Sequence, residues 1–147
     1  MLEDEVLQIT QNVWRCMLEM EVHVSSVSSK EMMEQLHSSG VVHISGAWNG
    51  SVSLVCPNTL VEKAGVIILG DAAAELGKSA IVEVLGELVN ILGGNIKAIL
   101  PAPSYLSQPM VVDGESYEMN LLGVECVTHL MMECESTPFQ LNIYQHQ

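Results

Sequence analysis

Residues 79–95, SAIVEVLGELVNILGGN, decide how this chain is read. Ile81, Leu85, Leu88 and Leu92 recur at spacings of four, three and four, which places them on one line down an α-helix. Glu83, Glu87 and Asn90 keep the same rhythm and fall on the opposite side. Val82, Val84, Val89 and Ile91 widen the apolar face, leaving a narrow polar stripe. Gly93 and Gly94 then read as a glycine stop with a positive-φ C-cap. The ordinary explanation of such a stripe is a solvated face. Two features weigh against it. The stripe holds no Lys or Arg for i,i+4 pairing, and Glu83 with Glu87 is a mildly destabilising like-charge pair. Asn is also a poor mid-helix residue. Local costs of this kind collect where function sets the residue, so the stripe is the candidate working surface.

Composition narrows the class. A chain of 147 residues, nearly half of them apolar, can bury a core of its own and is expected as one domain over residues 1–147. Eighteen acids against five bases give a formal charge of −13. That opposes binding of nucleic acid, whose phosphates demand clustered Lys and Arg, and equally opposes docking on an anionic membrane. The uncharged apolar runs fall short of the ~20 residues of a membrane span, so no membrane insertion is expected. The acidic start, Met1 to Val6, is unlike a secretory leader, and a cytoplasmic location is expected. Cys16, Cys56, Cys126 and Cys134 are scattered without C-x-x-C spacing and read as four buried thiols. The five histidines show no ligand spacing either, so no metal site is expected.

From the central helix outward, 1–20 reads as an amphipathic helix, with Leu2, Val6, Ile9, Val13 and Met17 at helical spacing. A short strand is expected within 22–27 and a short helix around Met32 and Met33. Val41 to Trp48 reads as a strand, Asn49-Gly50 as a type I′ hairpin turn, and Ser51 to Cys56 as the return strand. In that return strand Val52, Leu54 and Cys56 point in and Ser51 and Ser53 point out. Thr59 and Glu62 form a capping-box pattern for a helix reaching about Leu69, with a further turn over 72–76. Beyond the glycine stop, 96–100 is expected as a strand and 101–109 as a loop. An edge strand is read over 109–112. Period-two strands follow around Tyr117, Met119 and Leu121, around Leu130, Met132 and Cys134, and around Phe139, Leu141 and Ile143, with Thr137-Pro138 separating the last pair. Most of the nine methionines read as core filling. The expected class is α+β, an antiparallel-rich sheet covered by helices.

Several of these stretches together resemble the CheX-like branch of the CheC/CheX/FliY chemotaxis phosphatases. They are Glu87-x-x-Asn90-x-x-x-Gly94-Asn95 in the central helix, Gly46-Ala47-Trp48-Asn49-Gly50 in the hairpin, Cys56-Pro57, and Leu106-Ser107-Gln108-Pro109. An E-x-x-N alone is a weak motif; the ordered set is far more specific. The resemblance covers roughly Val41 to Val112 and implies the CheC/CheX-like fold. It also implies hydrolysis of the phospho-aspartate of a CheY-like response-regulator receiver domain.

Under that resemblance the catalytic residues are Glu87 and Asn90, with Glu83 and Gly94 as partner-binding positions. An acyl phosphate is already reactive, so the catalyst mainly places a water in line with phosphorus. Asn90 would take that part by hydrogen bonding, and Glu87 would hold the regulator by pairing with its active-site lysine. The chain needs no cofactor of its own; Mg2+ is expected on the partner regulator. Many relatives carry Asp or Ser where this chain has Glu83. No second E-x-x-N is present, so one site per chain is expected, and relatives imply a homodimer formed by joining sheets edge to edge. Two alternatives remain at this stage. One is a non-catalytic module that binds a regulator. The other is a two-carboxylate hydrolase built on Glu83 and Glu87, which one shared helix face makes a poor fit to carboxylates that must flank their substrate.

Overall fold

In the computed structural model, which describes residues 2–114 and 123–146, five helices and seven strands follow one another. They are α1 (Leu2–Leu18), β1 (His23–Val24), α2 (Ser29–Met32), β2 (His37–Gly46), β3 (Gly50–Pro57), α3 (Asn58–Leu69), α4 (Ala72–Leu76), α5 (Ser79–Lys97), β4 (Ser104–Leu106), β5 (Met110–Asp113), β6 (Val124–Cys134) and β7 (Thr137–His146). The strands form an antiparallel sheet in the order β1-β6-β7-β3-β2-β4. β4 and β5 share the outer edge of β2, the first pairing with Ile44–Gly46 and the second with Ser38–Val41. The α+β class expected from the sequence is what forms. The strand read around Tyr117, Met119 and Leu121 lies outside the described residues.

Period-two alternation sends Val42 and Ile44, Val52 and Leu54, Leu130 and Met132, and Phe139, Leu141 and Ile143 to the helical side, where all are buried. α1, α3 and α5 close that side. Val6, Val13, Trp14 and Leu18 enter from α1, Leu60, Val61 and Ala64 from α3, and Val84, Leu85, Leu88, Val89, Leu92 and Ile96 from α5. Trp14 stacks flat on Phe139 with ring centroids 4.7 Å apart. Across its 19 residues α5 is long and apolar enough to cross a bilayer, yet its apolar side faces this core. The opposite sheet face is covered as well. Ser51 and Ser53 have no exposure and do not face solvent as their alternation implied, and α2 inserts Met32 while Ser29 donates to Gln140 at 2.7 Å.

Four local expectations give way to tertiary contacts. α5 does not stop at Gly93-Gly94 but runs on to Lys97, so 96–100 supplies the last helical residues and a turn, not a strand. Gly93 is helical because α5 crosses β2 closely: a Cβ there would stand 2.5 Å from Val42 Cγ2 and 3.2 Å from Leu106 Cδ1. Asn49-Gly50 is not a type I′ turn. The chain reverses through Gly46 at φ 122°, with Asn49 bonding back to the Gly46 backbone, and Gly50 is already in β3, where a Cβ would strike the Trp48 ring. The I′-like reversal lies instead at Glu135 and Ser136, both at positive φ, and Thr137-Pro138 belongs to β7. The Thr59/Glu62 capping box does not form. α3 begins after Pro57, held by the Asn58 N–H to Leu36 O (2.9 Å) and by Ser38 Oγ to Asn58 Oδ1 (2.8 Å).

Strand β2 also starts at His37, four residues before the apolar alternation begins, because Ser38 and Ser39 pair with β3 and β5 on both sides. Only Cys56 and Cys134 are buried; Cys16 and Cys126 are exposed. Among the described methionines Met20, Met32 and Met132 fill the core, while Met110 is exposed.

Candidate functional site

Burying Leu85, Leu88, Leu92 and Ile96 against the sheet forces the other side of α5 outward. That side carries Glu83 and Glu87, both exposed, and Asn90 and Gly94, both half-buried, at spacings of four, three and four. All four residues singled out from the sequence therefore share one line. Val82, expected to widen the apolar face, is 54% exposed and borders this stripe. Asn95 turns away from it, donating to Ile91 O in its own helix at 2.8 Å.

The stripe forms one wall of a groove of about 300 Å³. The other wall is the connection from β4 to β5 and the start of β5, where Gln108, Pro109 and Val111 face Glu83, Gly86, Glu87 and Asn90. The walls come together at Gly86: Pro109 Cγ lies 3.7 Å and Val111 Cγ2 3.8 Å from where its Cβ would be, room enough for a methyl in ordinary contact. Nothing stands within 4 Å of the corresponding point on Gly94, so the backbone at that end of the stripe is open to a visitor. Among the described residues, neither Glu83, Glu87 nor Asn90 has a side-chain hydrogen bond or ion pair. Two carboxylates and a carboxamide thus stand together without internal partners, their hydrogen-bonding capacity open to solvent or to a docking molecule.

Chemically, the groove can donate and accept hydrogen bonds through Asn90 and attract a cation through Glu83 and Glu87. No group of three or more His, Cys, Asp or Glu side chains suited to holding a metal occurs among the described residues. The opposite wall was marked in the sequence only as the Leu106-Ser107-Gln108-Pro109 stretch of the family resemblance, not as part of the site; its loop-like composition concealed that it lies over α5.

Comparison with known proteins fits this geometry. A family model described as Chemotaxis phosphatase CheX matches residues 38–132. No curated protein matches by sequence. Among solved structures, the chemotaxis protein CheX of Vibrio vulnificus superposes with a TM-score of 0.72 at 19% identity, covering 97% of this chain and 95% of that one. A CheC-like superfamily protein of Shewanella sp. PV-4 gives 0.71 at 21% identity, covering 98% and 96%. The CheX of a CheX-CheY-BeF3-Mg2+ complex from Borrelia burgdorferi gives 0.65 at 18% identity, covering 98% and 97%. With the family model spanning most of the chain, and both the sheet and the α5 stripe in place, the protein belongs to the CheX family of chemotaxis phosphatases.

Proposed function

We propose that this protein hydrolyses the aspartyl phosphate of a response-regulator receiver domain, with Asn90 positioning the attacking water and Glu87 engaging the regulator. The observation that carries the reading is the unpartnered Glu87–Asn90 pair lining an open groove on a helix within the residues the family model matches. The Borrelia burgdorferi complex, a CheX bound to CheY with BeF3 and Mg2+, supports both the partner class and a metal that resides on the regulator.

The step needs little from the phosphatase. Water oxygen bonds to phosphorus as the bond from phosphorus to the acyl oxygen breaks. The regulator's aspartate leaves as a carboxylate, and the protons of the water go to the released phosphate. A carboxylate is a good leaving group, so placement of the water is the main contribution. The Asn90 amide accepts from or donates to that water without changing charge. Glu87, one helical turn away, pairs with the lysine beside the regulator's phosphorylated aspartate, and Glu83 and Gly94 extend the contact along the same line. Association into a homodimer by joining sheets edge to edge belongs to the same reading.

Asn90→Ala tests it. The side chain is half-buried and unbonded, so the fold should persist while turnover of a phosphorylated receiver domain falls by about 10²-fold or more, the scale of losing a group that positions a reactant. Wild-type activity should stay nearly flat from about pH 6 to 8, because an amide does not titrate; loss with an apparent pKa near ~6.5 would point to a histidine instead. Multiple turnovers with excess phosphorylated regulator separate catalysis from a module that merely binds, which would protect the phosphoryl group stoichiometrically.

A further inference from the structure

The wall facing the α5 stripe is built with unusual care for a connection. Ser107 is bound to β2 through two bonds of 2.9 Å, its N–H donating to His43 O and its Oγ accepting from the His43 N–H. The same hydroxyl donates to Gln108 O at 3.0 Å. On the other flank Pro109, with φ locked by its ring, lies against Gly86. Gln108 is thus held at both neighbours while its own side chain is exposed and has no hydrogen-bond partner among the described residues. Gln108 lines the groove opposite Glu87 and Asn90.

We propose that Gln108 is a partner-positioning residue. Its carboxamide hydrogen-bonds a main-chain peptide group of the regulator, so that the segment bearing the acyl phosphate is gripped between the β4–β5 connection and α5. A primary amide carries both a donor and an acceptor and matches a peptide edge, which neither Glu83 nor Glu87 can do. The backbone around Gln108 is already ordered, so binding immobilises only one side chain and retains more of the hydrogen-bond energy. Gln108 is not a catalytic residue here: the water is placed by Asn90, and Gln108 acts by holding the substrate protein in register. This inference rests on the phosphatase reading above and adds a second, non-helical wall to it.

The test is steady-state dephosphorylation with the receiver domain, among those of the same genome, that the wild-type chain turns over fastest. Binding of the same domain loaded with beryllofluoride and Mg2+ is titrated in parallel. Gln108→Ala should raise KM and Kd by about tenfold, the worth of one or two interfacial hydrogen bonds, with kcat within about twofold and the melting temperature unchanged. Gln108→Glu keeps an acceptor but loses the donor and adds a third acid, so it should weaken binding at least as much. An unchanged KM and Kd in Gln108→Ala overturns the proposal, as does a fall in kcat at constant KM. Asn90→Ala measured beside it keeps the two readings apart. A silent Gln108→Ala with an inactive Asn90→Ala refutes only the second wall, whereas an active Asn90→Ala, or no turnover of any receiver domain by the wild type, refutes the phosphatase site itself.

Discussion

Three glycines of α5 provide a perturbation whose outcome differs only in what surrounds each. Replacing helical Gly by Ala gains about 0.8–1.0 kcal/mol of intrinsic propensity wherever it is done. At Gly94 nothing lies within 4 Å of the new methyl, so that gain should appear undiminished. At Gly86 the methyl would sit 3.7–3.9 Å from Pro109 and Val111, ordinary contact, and the gain should again be realised. At Gly93 it would sit 2.5 Å from Val42 Cγ2 and 3.2 Å from Leu106 Cδ1. Val42 is fully buried in a central strand and stiff at χ1, so it has little room to retreat. Overpacking of this kind costs about 1–3 kcal/mol. Because propensity cancels between the two variants, Gly93→Ala should be less stable than Gly94→Ala by that same ~1–3 kcal/mol. For a chain of this size that is a difference in melting temperature of roughly 3–10 °C. Urea and thermal unfolding of the three variants, followed by far-ultraviolet circular dichroism, read it directly. Activity should sort differently: Gly86→Ala and Gly94→Ala stabilise the fold yet raise KM, since each adds a methyl to the proposed docking surface, a trade of stability against function. A Gly93→Ala chain as stable as Gly94→Ala would refute the close crossing of α5 over β2.

Two further outcomes follow from the core. Iodoacetamide should alkylate Cys16 first and Cys126 more slowly, because partial burial holds the Cys126 thiol above its ordinary pKa; Cys56 and Cys134 should react only after unfolding, as mass spectrometry of timed samples would show. Burial also pushes Cys134 from 9.0 up to about 11, so the folded chain keeps a proton that the unfolded chain releases, and stability should decline as pH rises across that interval. Phe139→Ala removes a fully buried ring stacked on Trp14 and should cost about 3–5 kcal/mol, with loss of near-ultraviolet dichroism and an activity deficit that tracks the unfolded fraction.

The amphipathic stripes of α1 and α5 and the alternation in β3, β6 and β7 were legible along the chain because each is a local period set by backbone geometry alone. So was the line from Glu83 through Glu87 and Asn90 to Gly94, since one helix determines which residues share a face. Two of the errors share a cause. Gly93 read as a stop and Gly50 as a turn, because a glycine signals freedom in the backbone without saying whether that freedom serves a bend or a close approach. Only the packing of α5 on Val42, and of Trp48 over Gly50, distinguishes the two. The early start of β2 was invisible for a related reason: Ser38 and Ser39 carry no apolar period, and both are buried because strands distant in sequence pair with them. The groove is a tertiary object altogether. Its first wall is a period within one helix, but Gln108 comes to face that wall only when Ser107 binds His43 and Pro109 settles against Gly86, contacts between segments that no local rule connects.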